Sequence, residues 1–145
     1  MVITVDTNVI FQGLCSNIGA SYKILQLLSN NRIQLALSVP VFIEYCDVLK
    51  RQTTLNKTGL SEGNINVVLD FLAYIGLEHR ISFLYRPNLI DEKDNKFIEL
   101  ALASQSRFLI TSNIKHFIMN NDLKLYGVQV VTPGDFMRYW RDSNE

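Results

Sequence analysis

The chain predicts an α/β domain, a three-layer α/β/α sandwich with a mainly parallel sheet of about five strands. Three observations carry this. Short β-branched runs alternate along the whole chain with stretches of helical period, which is the pattern of a parallel sheet covered by helices on both faces. A length of 145 residues suits one domain, able to bury about two-thirds of the surface its unfolded form exposes. Internal repeats, low-complexity segments and linker-like composition are absent from the sequence, so residues 1–145 are expected to form one domain.

The first strand is VITVD, residues 2–6, and the second is IQLALS, 33–38. Between them Tyr22, Leu25 and Leu28 make one stripe of a helix over Ser21–Asn30. A helix over Pro40–Arg51 begins with a proline suited to a first turn. The segment TTLNKTGLSEGN, 53–64, has loop composition and joins it to the next helix. That helix, Ser61–Tyr74, repeats Ile65, Val68, Leu69 and Leu72 at helical spacing and stops at Gly76. LEHRIS, 77–82, is a third strand. DNKFIELALAS, 94–104, is a helix with Asp94 as N-cap and Phe97, Leu100 and Ala101 on its apolar side. RFLIT, 107–111, and VQVVT, 128–132, complete the strands, and a helix with Phe136, Tyr139 and Trp140 follows Pro133.

Lysine plus arginine and aspartate plus glutamate each number 14, so net charge is zero. Non-specific attraction to a polyanion is thereby excluded as a driving force, and any nucleic-acid contact needs a local device such as a metal ion or a basic patch. The longest apolar stretches fall short of the ~18 residues that span a membrane. Asp6 interrupts the N-terminal apolar run, and no cleavage-site pattern follows it. Cys15 and Cys46 lack CxxC spacing, so neither a disulfide framework nor zinc is expected and a cytoplasmic setting is the default.

Ligands of open parallel sheets bind beyond the carboxyl ends of the strands. There the sequence places Asp6, Thr7 and Asn8 after the first strand and Ser112 and Asn113 after the fourth, with Asp94 opening a helix that leads into the fourth. Asp and Asn are also favoured N-caps, worth ~1 kcal/mol each, so each admits a purely structural explanation. Glu44 shares a helix face with Val41 and Val48. Either it projects from the buried side, where it must pair, bind a metal or change its pKa, or it lies at the stripe's edge and reaches solvent. Carboxylates converging in one crevice repel by up to ~4 kcal/mol per pair at 4 Å, which a divalent cation relieves. Oxygen donors without a Cys or His cluster suit Mg²⁺ or Mn²⁺.

Four segments in order, the initial strand with DTN, PVFIEYCDVLKR, DEKDNKFIELALASQSRFLITSN and VVTPGDFM, resemble a PIN-domain protein. More narrowly they are similar to the bacterial and archaeal branch of toxin components from toxin–antitoxin systems. The resemblance implies an α/β/α sandwich and a metal-dependent endoribonuclease, a hydrolase leaving 5′-phosphate and 3′-hydroxyl ends. It places the family's acids at Asp6, Glu44 and Asp94, where one or two Mg²⁺ or Mn²⁺ ions would be held and water activated for attack on the phosphodiester. Asp91 is a secondary candidate for the metal, and Thr7, Asn8 and Ser112 are candidate supporting polar residues. The fourth acid of the family falls on Asn113, a departure that removes one negative charge. Implied partners are an RNA substrate, a cognate antitoxin protein and further copies of the chain as dimer or tetramer, with no membrane.

Lys93, Lys96, Lys115 and His116 are candidate contacts to RNA phosphate, or else solvated surface residues. Asn113 motivates an alternative function, a PIN fold that binds RNA or a partner through a degenerate, weakly catalytic or non-catalytic metal site. A covalent phosphoaspartyl chemistry at Asp6 is disfavoured, since DTNVIFQ supplies neither a second Asp nor a lysine.

Overall fold

The alternating runs resolve, in a computed structural model, into a five-stranded sheet ordered β3-β2-β1-β4-β5 with every neighbouring pair parallel. The structure describes residues 1–81, 95–118 and 120–144. The strands are β1 Val2–Val5, β2 Gln34–Leu37, β3 Leu77–Glu78, β4 Phe108–Ile110 and β5 Gln129–Val131. The helices are α1 Thr7–Cys15, α2 Ala20–Ser29, α3 Val39–Leu49, α4 Gln52–Thr58, α5 Glu62–Ile75, α6 Asn95–Ser104, α7 Asn121–Leu125 and α8 Pro133–Asn144.

From β1 the chain builds outward through β2 and β3, then crosses back to lay β4 on the opposite side of β1. The strand order therefore reverses between β1 and β4, the place where such sheets open a ligand crevice. Ile3, Thr4 and Val5 pair with Phe108, Leu109 and Ile110. All six are buried, as expected for central parallel strands covered on both faces. The one polar member, Thr4, shares a 2.8 Å hydrogen bond with Ser106, which is in turn 2.7 Å from Ser104, so its hydroxyl is satisfied inside the core.

Helices α1 and α8 pack on α2, and α5 and α6 pack on α3. The aromatic residues of α8 close one end of the core: Phe136 meets Phe108 edge-on at 5.4 Å, Tyr139 lies 4.9 Å from the same ring, and the Arg107 guanidinium stands 5.1 Å over Tyr139. Among the described residues no helix is long and apolar enough to cross a membrane.

Two expectations fail locally. The segment 53–64 is mostly helical, not loop: α4 covers Gln52–Thr58, Gly59 ends it in the left-handed region at φ 72°, and Ser61 with Asn64 forms a capping box opening α5. Thr54 explains the difference. It is buried and donates to the Val48 carbonyl at 2.7 Å, a tertiary tie that overrides the weak helix propensity of TTLNKT. The third strand is only Leu77–Glu78, shorter than 77–82; it begins where Gly76 approaches β2 so closely that a Cβ there would lie 2.6 Å from Leu37 Cδ2. The Asp94 cap lies outside the described residues. Helix α7 has no counterpart in the sequence pattern, and the helix expected after Asn113 is a single 3-10 turn, Ile114–His116.

Candidate functional site

Strand β1 ends at Val5, but its pairing continues one step, because the Asp6 N–H donates to Ile110 O at 2.9 Å. Asp6 then occupies the N-cap position of α1, and its carbonyl accepts from Val9 N at 3.0 Å. Its side chain, however, makes no cap bond. The carboxylate instead accepts from Thr111 Oγ1 at 2.7 Å, across the seam between β1 and β4. Thr111 is fully buried, and its oxygen accepts from Asn113 N at 3.0 Å, which leaves its one proton directed at Asp6. The structural explanation of Asp6 as a helix cap is thus set aside by the geometry.

On α3 the buried stripe is Val41, Tyr45 and Leu49, and Glu44 lies at its edge with 18% of its side chain exposed. The Thr7 hydroxyl donates to Glu44 Oε2, and Lys96 Nζ stands 3.2 Å from Oε1. Glu44 therefore satisfies both sequence readings at once: it is at the stripe's edge, and it is paired. Tyr45, the next residue, is fully buried beneath it and donates to the Val5 carbonyl at 2.5 Å. Burial first, then the charges of Asp6 and Glu44, push the Tyr45 phenol well above its ordinary value. It remains a protonated donor at any working pH.

These groups surround a cleft of about 570 Å³. Of the residues singled out by sequence, Asp6, Thr7, Asn8, Glu44, Lys96, Asn113 and His116 line it. Ser112 borders it, donating to Asn8 Oδ1 at 3.5 Å through its N–H and to Gln12 Oε1 at 3.0 Å through its hydroxyl, and so ties α1 to the end of β4. Lys115 is exposed on the 3-10 turn. Asp91, Lys93 and Asp94 lie outside the described residues. Asn113 stands at the N-cap position of the turn, but its side chain does not cap it, contrary to what an asparagine there suggests. The lining also includes Asp47 and Arg51, joined by a 3.1 Å ion pair at the cleft mouth, which sequence reasoning missed.

A second hollow of about 630 Å³ runs along β5, lined by Arg107, Lys124, Asn120, Gln129 and apolar residues. The smaller cleft is the candidate site, since that is where carboxylates meet the strand-order reversal. Besides Asp47, which is paired with Arg51, its donors are the Asp6 and Glu44 carboxylates and the Asn113 amide oxygen, hard oxygens that suit Mg²⁺ or Mn²⁺. Among the described residues, no group of three or more His, Cys, Asp or Glu side chains is placed to hold a metal ion.

Thr111→Val tests the support of Asp6 directly. Valine keeps the shape but removes the donor and strands the Asn113 N–H, so stability should fall by about 1–3 kcal/mol. Urea unfolding beside wild type measures it, and an unchanged midpoint would refute the assigned bond.

A family model described as the PIN domain matches residues 2–115. The chain belongs to the PIN-domain family. The matched stretch runs from β1 into the turn after β4 and includes every lining residue of the cleft named above except His116. In fold, this PIN domain is similar to a chain in the crystal structure of VapBC2 from Rickettsia felis bound to a DNA fragment from their promoter. The TM-score is 0.58 at 19% identity, covering 91% of this chain and 98% of that one. No curated protein sequence matches it.

Proposed function

We propose that this PIN domain is a Mg²⁺- or Mn²⁺-dependent endoribonuclease, acting in the cytoplasm as the toxin of a toxin–antitoxin pair. The observation that carries the proposal is the state of Asp6: at a cap position its carboxylate is not spent on the helix, but is held by Thr111 toward the cleft it shares with Glu44. Family membership supports hydrolysis of phosphodiesters, and likeness to a chain of VapBC2 supports an antitoxin partner.

Asp6, Glu44 and the Asn113 amide oxygen would hold the ion, joined by Asp94 and Asp91 as the family resemblance implies. Bound there, Mg²⁺ or Mn²⁺ supplies charge neutralisation at the scissile phosphate and lowers the pKa of water for attack. The chain's own residues do the rest. Thr111 and Thr7 fix the carboxylates through hydrogen bonds, so the donors need little reorganisation. Lys96, Arg51 and His116 bring positive side chains or a titratable ring to a cleft on a molecule of zero net charge, where RNA phosphates can be oriented. Lys93 and Lys115 are further candidates for phosphate contact, and a dimer or tetramer is the expected assembly. Asn113 favours one second reading, a PIN fold that binds RNA or its partner with little turnover.

A labelled single-stranded RNA of mixed sequence, incubated with protein and Mn²⁺, should be cut internally. EDTA should reduce the rate by at least about 100-fold, to background. Cleavage that persists in EDTA would overturn the metal assignment.

A further inference from the structure

We propose that Tyr45 is a positioning residue that sets the spacing of Asp6 and Glu44 by tying α3 to the Val5 carbonyl. The backbone shows why a donor is needed there. Met1 O accepts from Gln34 N at 3.0 Å, so alternate carbonyls of β1, those of residues 1, 3 and 5, face the β2 side. The Asp6 N–H points the other way, to Ile110 O at 2.9 Å, and a planar trans peptide turns the Val5 carbonyl opposite to it. The register of β1 with β2 runs through Val2↔Gln34 and Ile3↔Leu35, and the chain then leaves β2 for α3 at Val39. Val5 O thus sits in the core past that pairing, where a buried carbonyl requires a partner.

Tyr45 provides the partner at 2.5 Å from a fully buried ring. Consecutive helical residues diverge by about 100°, which lets Glu44 face the cleft while Tyr45 reaches beneath it. Glu44 accepts from Thr7 and Tyr45 donates to Val5, so α3 grips both chain neighbours of Asp6. Strand β4 holds Asp6 from the other side through Ile110 and Thr111. Asp6 and Glu44 cannot separate without breaking one of these ties.

The inference rests on the cleft being the metal-nuclease centre, and the test separates the two. Tyr45→Phe keeps the ring and removes the hydroxyl. Calorimetric titration with Mn²⁺ should show affinity weakened about tenfold, as for other groups that orient metal ligands, with kcat lowered and KM for RNA unchanged. Hydrogen exchange at the Asp6 and Thr7 amides should quicken by about tenfold. Ile65→Val, a core change on α5, controls for general destabilisation and should move neither readout. Tyr45→Phe matching Ile65→Val in both Mn²⁺ affinity and amide exchange overturns the proposal. Wild-type protein that takes up no Mn²⁺ overturns the metal reading of the cleft instead; the exchange comparison then decides the tie alone, and unchanged exchange refutes it.

Discussion

Asp6→Asn should abolish RNA cleavage, by at least about 1,000-fold, while leaving the protein as stable as wild type or more stable. The two halves of this expectation have separate causes. Asparagine keeps the shape and retains an oxygen that accepts from Thr111, so the tie between β1 and β4 survives. What disappears is a buried negative charge beside Glu44, in a cleft where both carboxylates already raise the pKa of Tyr45 by their charge. Removing one of two like charges relieves repulsion, which is the usual relation between a functional site and stability. The same loss takes away one of the anionic donors proposed for the ion. Mn²⁺ should therefore raise the melting temperature of wild type by mass action and leave that of Asp6→Asn unmoved. Cleavage at a wild-type rate by a clean Asp6→Asn preparation would remove Asp6 from the mechanism.

The residues that announced themselves in the sequence were those whose chemistry conflicts with their local pattern. Asp6 ends an apolar run, and Glu44 borders the apolar side of a helix; both line the cleft. Thr111 escaped notice because a threonine in RFLIT is what strand propensity would place there anyway. Only the register of β1 against β4, separated by more than 100 residues, shows that its hydroxyl serves Asp6. Tyr45 was hidden in the same way, as one more apolar member of an α3 stripe, since the carbonyl it meets lies 40 residues earlier. Lys96 was legible as a positive charge but not as the 3.2 Å partner of Glu44. The sheet was legible because alternation and β-branching are local signals. Helix α4 was not, because it is held by the contact of its buried Thr54 to Val48 O and not by the helix propensity of TTLNKT.

Asn113→Asp tests how far the site departs from a fully acidic one, and its signature is a change of sign. The side chain lines the cleft and is not spent on capping the 3-10 turn, while the backbone N–H is held by Thr111. A carboxylate there adds a negative charge to those of Asp6, Glu44 and the Arg51-paired Asp47. Without metal the added repulsion, up to about 4 kcal/mol for a pair at 4 Å, should lower the melting temperature. With Mn²⁺ the same charge becomes an anionic ligand, so affinity should rise by about tenfold or more and the metal-induced gain in melting temperature should exceed that of wild type. Cleavage should increase in step if wild-type turnover is limited by metal occupancy. Wild-type protein that already binds Mn²⁺ at sub-millimolar concentration and cuts RNA would defeat the binding-only reading. An Asn113→Asp protein that binds Mn²⁺ no more tightly than wild type would show that position 113 faces the cleft without serving the ion.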